Sequence, residues 1–334
     1  MADQTKIEWC DATLNLWWGC TKVSGGCKFC YAEELADHRY HKGNWGPTGT
    51  RREVKSWRTT LNKISARAKA EGRRLRVFCQ SMSDTFEGPE TMGGKDSQNW
   101  ITVQRLQDEL LTAVLDHPEL DFLLLTKRPE NVVEVCHRHD ESNGVQTIFQ
   151  WPWPKNLWIG TSVEDQATAD ERIPQLMAIP AAVRFLSCEP LLGAVDLTRV
   201  SKQPWHDGDG VNGLKWIDAL NGYWEMEDSV GHGQYEDPKS RIDWVICGGE
   251  SGPKARPMNP SWALALRDQC VARSVPFLFK QWGEFLPDTQ NPEVTSFLDQ
   301  PLRPDYFGAI RVGKHRAGRT LDGRTWDEHP EVDR

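Results

Sequence analysis

Three cysteines fall within eleven residues, Cys20-Thr-Lys-Val-Ser-Gly-Gly-Cys27-Lys-Phe-Cys30, at the spacing C-x6-C-x2-C. A C-x2-C pair lets two sulfurs face one metal centre. Ser24-Gly25-Gly26 gives the intervening loop the freedom to wrap around it. No fourth cysteine follows closely and no His-x3-5-His pair follows at all, which weakens a closed structural zinc site. Cys10 is available as a fourth ligand and would close the site, but it precedes the expected first strand. Three thiolates on a 4Fe–4S cluster would leave one iron open to a ligand. Both metals remain readings of this loop, the cluster being the stronger. Cys79, Cys188 and Cys247 sit in expected strands and read first as core thiols.

A second source of chemistry lies at the ends of short apolar runs. These ends read Ser81-Met82-Ser83-Asp84, Thr126-Lys127-Arg128, Thr161-Ser162-Val163-Glu164, Ser187-Cys188-Glu189, Gly248-Gly249-Glu250-Ser251 and Lys280-Gln281. One polar strand end is ordinary. Six that carry hydroxyls, carboxylates or cations suggest a shared pocket, with Lys127, Arg128, Glu189, Glu250 and Lys280 as candidate substrate contacts. The segment Arg51–Arg76 holds ten basic residues against two acidic ones, near +8. It reads either as a solvated basic helix face or as a phosphate-contacting face for nucleic acid. Trp17, Trp18, Trp45, Trp151, Trp153, Trp205, Trp224 and Trp282 lie in loops or at strand ends, where they could stack on bases or simply pack.

These groups need elements to position them. The runs at 76–84, 121–130, 156–165, 184–192, 243–252 and 276–284, with one more near 12–18, are continuous rather than alternating. That suits strands covered on both faces. Helical periodicity lies between them at 100–117, 165–178 and 261–271. Strands alternating with helices make an α/β protein with a parallel sheet. About seven strands fit a partial (β/α) barrel or a doubly wound sheet, and in either the site lies at the C-terminal strand ends. The chain reads as one domain over residues 1–334. Residues 201–241, without a clear strand, form an inserted lid or loop. Residues 285–334 form a C-terminal extension, with a Pro-rich connection at 288–305.

Composition bounds the rest. With 40 Lys+Arg against 48 Asp+Glu, the formal charge of -8 excludes a histone-like binder but not a local basic groove. No apolar run approaches a membrane span, and the N-terminus lacks the order of a signal peptide. A cytoplasmic, reducing compartment is therefore expected, where nine cysteines are thiols or ligands rather than disulfides.

The three-Cys loop after the first strand, with an aromatic residue before the third cysteine, resembles the radical S-adenosylmethionine superfamily. The usual spacing there is C-x3-C-x2-C, so the first gap here is longer. More closely, the chain resembles the phage-protein family of three-Cys-motif, radical-SAM-like proteins. IEWCDATLNLWWGCTKVSGGCKFCYAE, FCQSMSDTF, LLLTKRPE, WIGTSVED, RFLSCEPLLG, DWVICGGESGPKARPM, FLFKQWGE and LDGRTWDEHP carry that resemblance across nearly the whole chain. It implies a partial (β/α) barrel in which Cys20, Cys27 and Cys30 hold a 4Fe–4S cluster whose open iron binds S-adenosylmethionine. It implies that Phe29 sets backbone groups against the adenine, and that Ser81, Ser83 and Asp84 face the methionine amine. It implies ribose contacts from Ser162 and Glu164. Gly248-Gly249-Glu250 resembles a superfamily motif but follows a late strand, so that role is not transferred. The chemistry implied is reductive cleavage of the sulfonium to a 5′-deoxyadenosyl radical, fed by a flavodoxin- or ferredoxin-like electron donor. Cys188 or Cys247 could donate a hydrogen atom.

The leading expectation is thus a radical enzyme that modifies or repairs nucleic acid or a nucleotide. The alternative is a non-enzymatic nucleic-acid-binding protein with structural zinc. A metal-free barrel hydrolase is a third, weaker reading. No Ser-His-Asp or paired-carboxylate arrangement supports it, and His38 and His41 read as surface residues.

Overall fold

The computed structural model describes residues 4–137, 152–206, 212–228, 232–236, 240–288 and 307–331. Two compact units account for it. The first holds residues 1–161 with 179–182, and the second holds 162–178 with 183–334.

In the first unit, β1 (Ala12–Leu14) leads through a long excursion to α1 (Trp57–Glu71) and β2 (Leu75–Cys79). Next come α2 (Gln98–Asp116), β3 (Leu120–Thr126) and β4 (Leu157–Ser162). α1 ends where Gly72 takes a left-handed conformation at φ 62°. α2 starts where the Ser97 hydroxyl accepts from Trp100 N, and it buries Trp100, Val103, Leu106, Leu110 and Val114 at helical spacing. The helix ends at Asp116, two residues before Pro118, whose ring cannot follow it.

In the second unit, α3 (Gln166–Met177) opens on a reciprocal cap between Asp165 and Thr168. It is followed by β5 (Val183–Cys188). After an insertion come β10 (Trp244–Gly248), α4 (Pro260–Ala272) and β11 (Phe277–Gln281).

Seven strands make the main sheet in the order β1-β2-β3-β4-β5-β10-β11. The pairings β1–β2, β2–β3, β3–β4, β5–β10 and β10–β11 are parallel. Every residue of β4, β5 and β10 is buried, which is why their sequences run apolar without alternation. The order never reverses. A doubly wound sheet needs a reversal to make its crevice, whereas barrel winding adds each strand on the same side. The monotone order therefore gives the partial-barrel topology among the two that the sequence allows.

The insertion differs from expectation. Residues 201–241 hold strands rather than an irregular loop: β6 (Val200–His206), β7 (Asn212–Asp218), β8 (Tyr223–Asp228) and β9 (His232–Glu236). They pair antiparallel in one four-stranded meander. Its strands mix Lys and Glu with Trp, so no apolar run marks them. The connection at 288–305 lies outside the described residues, apart from Asp288. No helix among the described residues is long and apolar enough to cross a membrane.

Candidate functional site

Directly after β1 the chain passes Asn15 and Leu16, and Trp17–Trp18 then pair with Arg52–Glu53. Gly19 follows at φ 115°, with its N–H on Met82 O. A Cβ there would lie 2.5 Å from Asn44 O, so only glycine lets the chain turn into the cysteine loop. Cys20 comes next, and its carbonyl accepts from Gly46 N. A tight turn at Gly25–Cys27 brings the second cysteine round. Cys30 then stands at the N-terminal end of a short helical segment, where the Tyr31 hydroxyl donates to Ser81 O at 2.8 Å. The loop is thereby tied to the C-terminal end of β2.

A buried charge network fixes the same loop from below. Arg51 clasps Glu87 with both ends of its guanidinium, Nε to Oε2 at 2.8 Å and Nη2 to Oε1 at 2.7 Å. Both side chains are wholly buried. Arg51 also donates to the carbonyls of Asn44, Gly46 and Gly49. Thr21 sits at the meeting point. Its N–H donates to Glu87, its hydroxyl accepts from Arg51, and its carbonyl accepts from Arg128 Nη2 at 2.8 Å. Arg128 reaches Asp84 Oδ2 at 3.0 Å and the Cys20 sulfur at 4.0 Å. Asp84 in turn accepts from the Thr126 hydroxyl and from the N–H groups of Phe86 and Lys127.

These contacts decide the state of the thiols. Burial pushes Cys20 well up, and the carboxylates of Glu87 and Asp84 add to it, with Arg128 opposing. Burial also raises Cys30, against the pull of the Glu33 and Ala32 N–H groups. Burial alone would lower the affinity of Arg128 for its proton, but Asp84, Cys20 and Glu87 carry it upward, so it stays a cation. The bare thiols of Cys20 and Cys30 are therefore protonated at neutral pH. Binding a metal is what would strip those protons.

The expected site residues divide between the two units. In the first, Cys20, Cys27 and Cys30 are free and partly buried. Phe29 is half-buried with the Lys28 ammonium 5.3 Å from its ring centre. Ser81 bonds Asn15, and Ser83 donates to Trp17 O. Asp84, expected to face the methionine amine, accepts from four protein donors. Arg128 likewise is no free substrate cation but the buried partner of Asp84. Lys127 contributes its backbone N–H to Asp84.

In the second unit, Glu164 is buried against Arg172 at 3.3 Å, and Arg172 also donates to Ser162 O. Glu250 is clasped by Arg256 through both oxygens. Lys280 and Glu189 pair at 3.1 Å. Cys188 and Cys247 are neighbours across β5 and β10, with no exposed surface, and burial drives both thiols far up. They are core thiols in the resting protein.

At least half of the cations in the basic segment pair with acids from outside it. Arg58 pairs with Glu109, Lys69 with Glu119, Arg73 with Asp11, Arg74 with Asp121 and Arg76 with Asp11. Trp17, Trp153 and Trp282 are buried, and Trp18 and Trp45 pack on Ala32, Ala36 and Met82. Trp151 lies outside the described residues.

Among the described residues, no group of three or more His, Cys, Asp or Glu side chains is gathered tightly enough to hold one metal ion. The sequence model of one family, described as a protein of unknown function (DUF5131), matches residues 4–330. The chain belongs to that family. No curated protein and no solved structure matches it. Within this DUF5131 protein, the residues that sequence reasoning missed are Thr21, Arg51 and Glu87. Arg51 read as one more cation of the basic segment, and Glu87 was not singled out at all. Neither carries a local signal, because the pairing spans 36 residues.

Proposed function

We propose that the protein is an iron–sulfur, S-adenosylmethionine-dependent radical enzyme, with Cys20, Cys27 and Cys30 as the ligands of a 4Fe–4S cluster. One observation carries the reading. The three-cysteine loop leaves β1, is anchored to the C-terminal end of β2, and has a buried two-arginine, two-carboxylate network built around its first residues. A solvated surface loop would need no such foundation.

Three thiols are the donor type that an iron–sulfur cluster takes, and three of them would leave one iron without a protein ligand. When bound, the cluster with S-adenosylmethionine supplies one-electron reductive cleavage of a sulfonium.

The chain's own residues have separate tasks. Arg128 directs a fixed positive charge at the Cys20 sulfur and favours its thiolate. Glu87 and Arg51 hold Thr21, and so fix where Cys20 can point. Ser81 and Ser83 present hydroxyls at the end of β2, and they rather than Asp84 would meet the methionine amine. Nucleic acid or a nucleotide is the proposed substrate class, but the pairing of the basic segment moves that expectation away from Arg51–Arg76.

Anaerobically purified protein should be brown, contain iron and sulfide, and cleave S-adenosylmethionine once reduced. Cys27→Ala should remove all three properties. A colourless, zinc-loaded wild type without cleavage activity overturns the reading.

A further inference from the structure

The excursion between β1 and α1 exposes a group of rings and cations that neither the cysteine loop nor its network uses. After the short helical segment at Tyr31–Glu33 the chain winds one wider turn over Glu34–Arg39, closed where Tyr40 N–H donates to Leu35 O, five residues back. Such wider turns are rare and recur at functional sites. His41 then takes φ 51°, a left-handed conformation that few residues other than glycine adopt. The bend is pinned on both sides. Lys42 N–H donates to Ala36 O, and the Asp37 carboxylate accepts from the N–H groups of Asn44 and Trp45 at 2.8 and 2.9 Å. The buried Asn44 amide donates in turn to Trp18 O. Arg39, Tyr40 and Lys42 therefore stand on a fixed bend.

These side chains are accessible and adjacent. Tyr40 is 48% exposed, and its ring centre lies 6.4 Å from that of Trp18. The Arg39 guanidinium stands 5.8 Å from the Tyr40 ring centre, and Arg39 and Lys42 are both exposed. Neither cation meets a carboxylate at ion-pair distance among the described residues, whereas Arg58, Lys69, Arg73, Arg74 and Arg76 of the basic segment each do. Asp37, on the same turn, is engaged by its two N–H donors. The patch adjoins the cysteine loop, because Trp18 and Cys30 pack on the same small cluster of Ala32, Ala36 and Met82. One exposed ring is ordinary. Two rings in contact, with two cations that lack acids and a fixed bend beneath them, offer a face for stacking and charge for phosphate.

We propose that Trp18, Arg39, Tyr40 and Lys42 form a docking surface for single-stranded nucleic acid beside the cysteine loop. An unpaired base has a free π-face to lay on the Tyr40 ring, while Arg39 and Lys42 meet the flanking phosphates. A duplex keeps its bases stacked on one another, so it can use the cations but not the ring. Stacking tolerates any base, so the surface reads strandedness rather than sequence. The inference rests on the nucleic-acid substrate class proposed above and says where that substrate lies. It does not rest on the cluster.

The test is equilibrium binding of labelled oligothymidylate and oligouridylate to the full-length protein, read by fluorescence anisotropy across a salt series. One or both should bind, and a duplex of oligothymidylate with oligoadenylate should bind about tenfold more weakly or worse, the worth of one lost stacking contact. Tyr40→Ala should weaken single-strand binding about tenfold, while Tyr40→Phe, which keeps the ring, should stay within about twofold of the wild type. The double variant Arg39→Gln/Lys42→Gln should make the log–log salt dependence shallower by about 1.4, since each phosphate contact to a single strand contributes about 0.7. Arg58→Gln, on the basic segment, should change neither quantity. Circular dichroism is the folding control, and the comparison of single strand with duplex needs no variant. No single-strand binding, equal binding of the duplex, indifference to Tyr40→Ala, or a loss from Arg58→Gln as large as from the double variant would each overturn the surface. Single-strand binding by a colourless protein that does not cleave S-adenosylmethionine would fault the cluster reading alone. Cleavage without single-strand binding would fault this surface alone.

Discussion

Glu87→Gln is the sharpest perturbation of the cysteine loop. Glu87 is fully buried and accepts from Arg51 Nε, Arg51 Nη2 and Thr21 N, with Arg128 Nη2 a further 3.8 Å away. The substitution keeps the shape but removes the charge. Arg51 is then a buried guanidinium with only carbonyls and a hydroxyl around it. Removing one partner of a buried pair costs about 3–5 kcal/mol, because the survivor stays desolvated and uncompensated. For a unit of this size that corresponds to a fall of roughly 10 °C or more in melting temperature. The exposed Arg58–Glu109 pair serves as the control, since Glu109→Gln should cost no more than about 1 kcal/mol. Denaturant unfolding of the metal-free protein measures both. The double variant Arg51→Met/Glu87→Met should recover most of the loss, since an apolar pair of similar volume replaces both charges. A Glu87→Gln cost below about 1 kcal/mol would show that water reaches the pair, and the argument for a buried foundation under Cys20 would fail.

Other consequences are as direct. Gly19→Ala should destabilise by about 1–3 kcal/mol and lower metal retention together, since φ 115° and the Asn44 carbonyl both reject a Cβ. Unfolding and iron content of the same preparation would check it, and unchanged metal retention would separate Gly19 from the loop. Glu119 is desolvated, yet hydrogen bonds from Ser65, His117 and Lys69 bring its carboxyl from 4.5 down to about 2. A depressed folded value means its stabilisation is complete above pH 4.5 and is lost as pH falls towards 2. Glu119→Gln should therefore flatten the acid limb of the stability profile in that window. An acid limb unchanged by the substitution would contradict it. Arg128→Lys should lower the reduction potential of the bound centre, because a guanidinium fork aimed at Asp84, Thr21 and Cys20 cannot be reproduced by one ammonium. Potentiometry on reconstituted protein would measure it, and an unchanged potential would place Arg128 in scaffolding only.

The fold was legible where burial on both faces wrote an apolar run. All seven strands of the main sheet appear where such runs lie, from Ala12 to Gln281. α2 and α3 were legible from periodicity and from the stops and caps at Pro118 and Asp165. The insertion was not. The meander mixes Lys215 and Glu225 with Trp216 and Trp224, so no continuous apolar run marks its strands. Strand order was legible only in part, since alternating strands and helices serve two windings. The unreversed order of neighbours separates them.

Candidate groups in the site were legible as residue types, but their availability was not. Arg128, Asp84 and Lys280 stand at strand ends in the sequence as free charges. In the fold each meets an opposite charge contributed from elsewhere: Asp84 lies 44 residues before Arg128, and Glu189 comes from another strand end than Lys280. Hydrogen-bond saturation is a non-local property, so strand-end polarity overstates what can bind.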